Sequence, residues 1–349
     1  MTDPNKGAAG TAGRAPGLTP GLTPGLTAAL RGALTAAGFA HRLAPVSVAG
    51  ELAQILAALK DEGQVTESLL DEYRESLTFS CPAEVGEPQA LIVAASPSPN
   101  VKVRFHLEDG PFDAVIPSTY ISSDAKARAL AAMRSVLEPA GYKVARARIP
   151  VKLLAVRTGL AQYGRNNVAY IKNMGSFVRL DAFCTDAPLE VEDFQGKGSW
   201  RLSSCPPCRN CHHVCPTGCI PYDGQVIDGE RCLTYHNEHE GDWPEGLDPL
   251  GHNALVGCLL CQERCPVDRV YVRVPKLVAE FDREETEWIL RDLPADELPE
   301  GVREKLAALD LEEYSTVLGR NLRALVNAAK LKTTAYNGSP SERGEPAGR

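Results

Sequence analysis

Cys205-Pro-Pro-Cys208-Arg-Asn-Cys211-His-His-Val-Cys215-Pro216 spells C-x2-C-x2-C-x3-C-P. Further along, Cys258-Leu-Leu-Cys261-Gln-Glu-Arg-Cys265-Pro266 gives C-x2-C-x3-C, again closed by proline. Thiolates at this density point to metal. A disulfide framework belongs to small secreted scaffolds, and a chain of 349 residues with 11 cysteines and no apolar secretory core is not one. Structural zinc uses paired C-x2-C knuckles, or two cysteines with two histidines. His212, His213, His236, His239 and His252 are close enough in sequence to serve. The odd third cysteine in each run and the proline after the last one argue against zinc.

The double run is the signature of the bacterial two-cluster ferredoxin, in which the fourth cysteine of one motif ligates the other cluster. On that arithmetic Cys205, Cys208, Cys211 and Cys265 hold a first [4Fe-4S] cluster. Cys215, Cys258 and Cys261 hold a second and lack one ligand. In a symmetric ferredoxin that ligand would stand at position 255, which is Leu255. Two spare thiols compete for the place. Cys219 lies four residues past Cys215, and Cys232 stands in the separate segment Arg-Cys-Leu-Thr-Tyr (231–235). Spacing alone leaves both open.

Working outward, the chain reads as globular, with 44% hydrophobic and 23% charged residues. The net charge of −8 argues against a protein whose main task is gripping a phosphate backbone, so tRNA is not an expected partner. No apolar stretch suits a membrane span, and no export signal or twin arginine is seen. Oxygen-sensitive clusters without an export signal suggest the cytoplasm.

Residues 1–27 repeat Gly-Leu-Thr-Pro and read as a disordered leader, as does the tail 333–349. Between them, 28–195 is expected to be an α/β domain, 196–275 the two-cluster domain, and 276–332 helices packed on the core. Leu52, Ile55, Leu56 and Leu59 share one face of a helix over 49–60. The apolar run 90–95 reads as a buried strand. Ser123 is the expected N-cap of a helix through Leu137. Strands are expected over 142–149 and 175–183, with a helix over 151–157 between them. Residues 276–291 and 309–330 are helical by pattern.

Several blocks resemble epoxyqueuosine reductases: Cys-Pro-Thr-Gly (215–218), Arg-Cys-Leu-Thr-Tyr (231–235) and Cys-Leu-Leu-Cys-Gln-Glu-Arg-Cys-Pro (258–266). Upstream, Gly-Leu-Ala-Gln-Tyr-Gly-Arg-Asn-Asn (159–167), Gly175-Ser176 and Asp-Ala-Pro-Leu (186–189) are similar to that family's glycine-rich block. Gly319-Arg320-Asn321-Leu322 resembles its Arg-Asn motif. Reductive dehalogenases share the architecture more distantly. The resemblance implies an α+β chain: a nitroreductase-like cobalamin domain, a ferredoxin-like two-cluster domain and C-terminal helices. It assigns Cys232 to the second cluster and leaves Cys219 free. It also implies an oxidoreductase with a corrinoid against the first cluster, reduced to cob(I)alamin, with contacts near Asn166, Ala169, Ile171, Gly218 and Thr234. A ferredoxin or flavodoxin is the expected electron donor. The substrate is a small molecule or a protein-bound corrinoid. The alternatives are an electron carrier with no reaction of its own and a divergent epoxyqueuosine reductase acting on tRNA.

The chain departs from that family at one telling place. Where the resemblance requires a catalytic aspartate, this sequence reads Ala145-Arg146-Ala147-Arg148-Ile149-Pro150, and no aspartate occurs between Asp124 and Asp181. Glu138 belongs to another element, Arg165 replaces the family's lysine, and Cys219 is additional. Cys81 and Cys184 read as small buried hydrophobes, and Tyr163 as packing beside the glycines. His212 and His213 either tune a cluster or face solvent. His236 and His239, close after Cys232, are further candidates for a ligand-facing role.

Overall fold

The computed structural model describes residues 23–73, 77–121, 124–192, 200–223 and 226–337. Its central sheet grows from the apolar run. β2 (Ala90–Pro97) is buried at every position but the last, because both of its faces are covered. β1 (Ala40–Pro45) and β8 (Val178–Thr185) flank it, and β5 (Val144–Arg146) follows β8; all neighbours are antiparallel. On one face Ile92, Ala94 and Phe183 meet Leu30 and Leu34 of α1 (Thr23–Ala36) and Met133 and Leu137 of α4 (Ala125–Leu137). On the other, Leu91, Val93 and Ala182 meet Leu52 of α2 (Val48–Asp61) and Leu154 of α5 (Val151–Arg157). Each fully buried leucine contributes about 1.5–3 kcal/mol relative to exposure. A short helix, α3 (Glu67–Glu72), follows α2.

A second core crosses the expected segment boundaries. The hairpin of β3 (Val101–Leu107) and β4 (Gly110–Ile116) is completed by β9 (Lys276–Phe281), parallel to β3. Phe281 stacks on Phe105 with ring centroids 5.3 Å apart. Over this sheet lie α9 (Arg283–Ile289), α10 (Glu300–Ala308) and α11 (Ser315–Asn337). Among the described residues no helix is long and apolar enough to cross a membrane.

The expected helix over 276–291 is therefore half strand. Helix begins only after Asp282, whose carboxylate accepts from Glu285 N while Glu285 accepts from Asp282 N, both at 2.9 Å. Upstream of that capping box the backbone pairs with β3, a partner far away in sequence. The expected helix over 309–330 starts at Ser315, because Asp310 takes a left-handed φ of 63°. It runs on to Asn337, so 333–337 are not tail. Likewise 23–27 are not leader: Thr27 is buried and its hydroxyl accepts from Glu190 N at 2.9 Å. The strand expected over 142–149 pairs with β8 only at Val144–Arg146, and that over 175–183 begins at Val178. Ser123 lies outside the described residues.

The fold positions the cysteines through a small hairpin, β6 (Ala161–Tyr163) and β7 (Ala169–Ile171), which follows α5. Gly159, at φ 71°, lets the chain leave α5 for it. The cysteine segments carry only short helices: α6 (Asn210–Val214), α7 (Leu233–Glu238) and α8 (Leu260–Glu263).

Candidate metal centre

The first cysteine run is a chain of tight turns. Cys205 N donates to Leu202 O and Cys208 N to Cys205 O, each at 3.1 Å, before α6 carries Cys211. Burial raises the Cys211 thiol to about 11, and the neighbouring Cys205, Cys208 and Cys265 push the same way. Cys265 is therefore close enough to the first run to be felt there. Burial also raises Cys258 to about 11, with Cys232 and Cys215 adding to it. Cys261 is raised by burial and then by Cys258, with Cys232 and Cys211 also felt. The two runs adjoin, and Cys215 is close enough to Cys258 to be felt there. Leu255 is fully buried in the second core, where no ligand could stand.

The fourth place of the second set is contested in space as well as in sequence. Cys219 Sγ lies 3.4 Å from Cys215 Sγ, and its thiol also bonds Cys232. Bonds from Cys219, ahead of every other influence, lower Cys215 to about 5 and Cys232 to about 7. Cys219 itself is raised by those two bonds and by burial.

The glycine-rich block grips both sets. Gly164 has no room for a side chain, since a Cβ there would lie 2.3 Å from Asn166 Oδ1 and 2.6 Å from the Tyr170 ring. Arg165, 3% exposed, donates to the carbonyls of Tyr222 and, at 3.1 Å, Cys205. The Asn166 amide bonds the Cys261 sulfur and donates to Tyr170 Oη at 3.0 Å, while Tyr170 bonds Cys265. Asp268, fully buried, accepts from Ser176 N at 2.7 Å and Ser176 Oγ at 2.5 Å. Ser176 Oγ also accepts from Gln262 Nε2 at 2.8 Å. Gly175 (φ 71°) is required beside that bond, because a Cβ would meet Asp268 Oδ1 at 2.6 Å.

The donor set fits anionic sulfur clusters. Two buried guanidinium nitrogens, Arg165 Nε and Arg209 Nε, have no hydrogen-bond partner among the described residues. Both belong to arginines that hold carbonyls of the first run, Cys205 and Cys208, at 3.1 Å. A buried cationic N–H needs an acceptor, and cluster sulfur is one. Asn253 Nδ2 lies 3.2 Å from Cys258 Sγ. No three His, Cys, Asp or Glu side chains among the described residues close on a single-ion site.

The candidate corrinoid contacts divide between the sets. Asn166 touches Cys261, Gly218 (φ 64°) follows Cys215, and Thr234 bonds Cys232. Ala169 and Ile171 flank Tyr170 beside Cys265 and are core residues, 3% and 5% exposed, whose backbone pairs within the β6–β7 hairpin. Most of these contacts border the second set rather than the first.

Of the remaining expectations, His212 Nδ1 is engaged by Ile220 O at 2.6 Å, and His213 packs edge-on against the His212 ring. His239 stacks on Tyr235 and approaches Glu72 at 3.3 Å. His236 also lies edge-on to Tyr235, and burial lowers its pKa. Tyr163 packs against the first core, and burial raises it to about 12. Cys81 and Cys184, read separately, bond each other. Ala145, Ala147 and Ile149 are core, Arg146 and Arg148 are exposed, and Glu138 is exposed at the end of α4. Asp181 shares the strand face of Phe183, toward α4 and away from α5.

Lys152 was missed. It is open to solvent, its Nζ is 3.4 Å from Asn167 O, and the protein packed around it lowers its pKa, with Cys232 near enough to oppose that shift. A lone lysine opening a helix carries no pattern, so nothing in the sequence singled it out.

The profile of the 4Fe-4S double cluster binding domain matches residues 204–268. The epoxyqueuosine reductase of Escherichia coli K12 is 37% identical over 119 residues, which are 33% of this chain and 29% of that protein. The aligned part is thus less than a third of that relative's length. The fold likeness is broader. Epoxyqueuosine reductase from Bacillus subtilis superposes with a TM-score of 0.62 at 16% identity, over 91% of this chain and 87% of that one. An epoxyqueuosine reductase solved with an epoxyqueuosine-modified tRNA-Tyr stem loop gives 0.61 at 14% identity, over 92% and 87%. The chain thus carries a 4Fe-4S double cluster binding domain at 204–268, is similar to epoxyqueuosine reductases over about a third of its length, and shares their mixed α+β fold.

Proposed function

We propose that the chain is an oxidoreductase carrying two [4Fe-4S] clusters, one on Cys205, Cys208, Cys211 and Cys265, the other on Cys215, Cys232, Cys258 and Cys261. It would deliver electrons to a corrinoid held beside Asn166, Gly218 and Thr234. The observation that carries this reading is the grip of 164–176 on both cysteine sets, which ties the α/β layer to the electron path. When bound, the clusters supply single electrons and the corrinoid supplies the reactive metal. The chain's own residues do the rest. Asn166, Gly218 and Thr234 would border the ligand, and Lys152 Nζ would carry a proton near Asn167. A positioned acid is typically worth about 10²–10⁴-fold, and the 145–150 stretch offers none. A ferredoxin or flavodoxin is the proposed donor.

The test is anaerobic purification and reconstitution, followed by iron and sulfide analysis and titration with hydroxocobalamin. About eight iron and eight sulfide per chain, with saturable corrinoid uptake, is the expected result. Full clusters without uptake would replace the enzyme reading with an electron carrier. Lys152→Met should leave uptake intact and slow turnover of a reducible substrate. Lys152 also favours a second reading, an epoxyqueuosine reductase with a relocated acid. Restored queuosine in a strain lacking its own reductase would establish that one. We expect no restoration, given the net charge of −8.

A further inference from the structure

We propose that Cys219 is a positioning residue for the second cluster: its thiol donates a hydrogen bond to the sulfur of Cys215 and raises that cluster's reduction potential. The inference rests on the ligand assignment proposed above. Three observations carry it. Cys219 Sγ is 3.4 Å from Cys215 Sγ, within reach of an S–H···S bond. The residue is 3% exposed, so water does not compete for the thiol. Its position is set by the backbone, with Gly218 at φ 64° turning the chain and Cys219 O accepting from Asp228 N at 3.0 Å.

The direction follows from charge. Each cluster couple takes up one electron, so the reduced state is more anionic by one charge, and a donor to its sulfurs stabilises that state more than the oxidised one. No proton need move. Removing the donor leaves the cluster harder to reduce. A hydrogen bond worth about 1 kcal/mol net corresponds to a several-fold change in the reduced-to-oxidised ratio.

The experiment is a dithionite titration of the reconstituted protein with redox mediators, read by low-temperature EPR, on wild type, Cys219→Ala, Cys219→Val and Cys219→Ser. Iron should stay at about eight per chain in all four. At the potential where half of the wild-type second cluster is reduced, Ala and Val should show a ratio several-fold lower. Ser, which keeps a donor, should stay near wild type, and the first cluster should not move. An unchanged ratio in Ala and Val overturns the proposal. Loss of about half the iron in the Cys219 variants is a different failure: it makes Cys219 the ligand and overturns the assignment of Cys232.

Discussion

Around Cys205, Cys208, Cys211 and Cys265 the protein places arginine, while neutral donors reach the sulfurs of Cys215, Cys232, Cys258 and Cys261. Arg165 and Arg209 hold carbonyls of the first run and keep a buried N–H each without a protein partner. The second set is met by the Asn253 and Asn166 amides, the Thr234 hydroxyl and the Cys219 thiol. Two clusters of one chemical type can therefore be held at different potentials, since charge and hydrogen bonding to sulfur both tune them. A fixed cation acts over distance and on every ligand. A hydrogen bond acts on one sulfur and vanishes with one atom. The difference lets electrons be sorted between two otherwise similar sites.

The comparison breaks most visibly by removing a ligand. Cys265→Ala should abolish the first cluster although Cys265 belongs to the second run, lowering iron from about eight to about four per chain. Iron analysis with EPR would check this; loss of only the second cluster would mean the ligation is not crossed. Cys232→Ser should give the complementary loss.

A smaller effect tests the cation. Arg165→Met should lower the first cluster's potential, so that the reduced-to-oxidised ratio at the wild-type midpoint falls about tenfold or more. The second cluster should stay fixed in the same titration. Tenfold is about 1.4 kcal/mol, modest for a charge–charge contact in a buried site. Equal shifts in both clusters would mean that the arginine supports the fold and does not distinguish the sets.

Of comparable size is the effect at the strap shared by both. Ser176→Ala removes one hydrogen bond to the buried Asp268 and should cost about 1–3 kcal/mol. Chemical denaturation of the cluster-loaded protein would read it, and both potentials should move together or not at all.

The smallest effect expected is on stability at Lys152. The protein packed around the Lys152 stem makes the folded chain hold that proton less tightly than the unfolded chain does. Its charge therefore costs stability at neutral pH, and the cost fades as pH rises toward the unfolded lysine range near ~10.4. Lys152→Met should melt no lower than wild type at pH 7, with any gain shrinking toward pH 10. A lower melting temperature at pH 7 would show that the ammonium supports the fold.

The sequence by itself determined the metal chemistry, because cluster ligation needs thiolates at fixed local spacing and local spacing is what a sequence records. It also determined the core strand 90–95 and the helices over 49–60 and 151–157, whose apolar patterns are local. Only the tertiary structure decided that 276–281 is a strand, since its partner, β3, lies far upstream. Only it placed Lys152 by Asn167, gave Asp268 the Ser176 hydroxyl, and set Cys219 between Cys215 and Cys232. Resemblance favoured Cys232 over Cys219 as ligand, yet no spacing rule could show the two thiols in contact. Such contacts are made by segments that meet only when the chain has closed on itself, and their residues carry no periodicity until then.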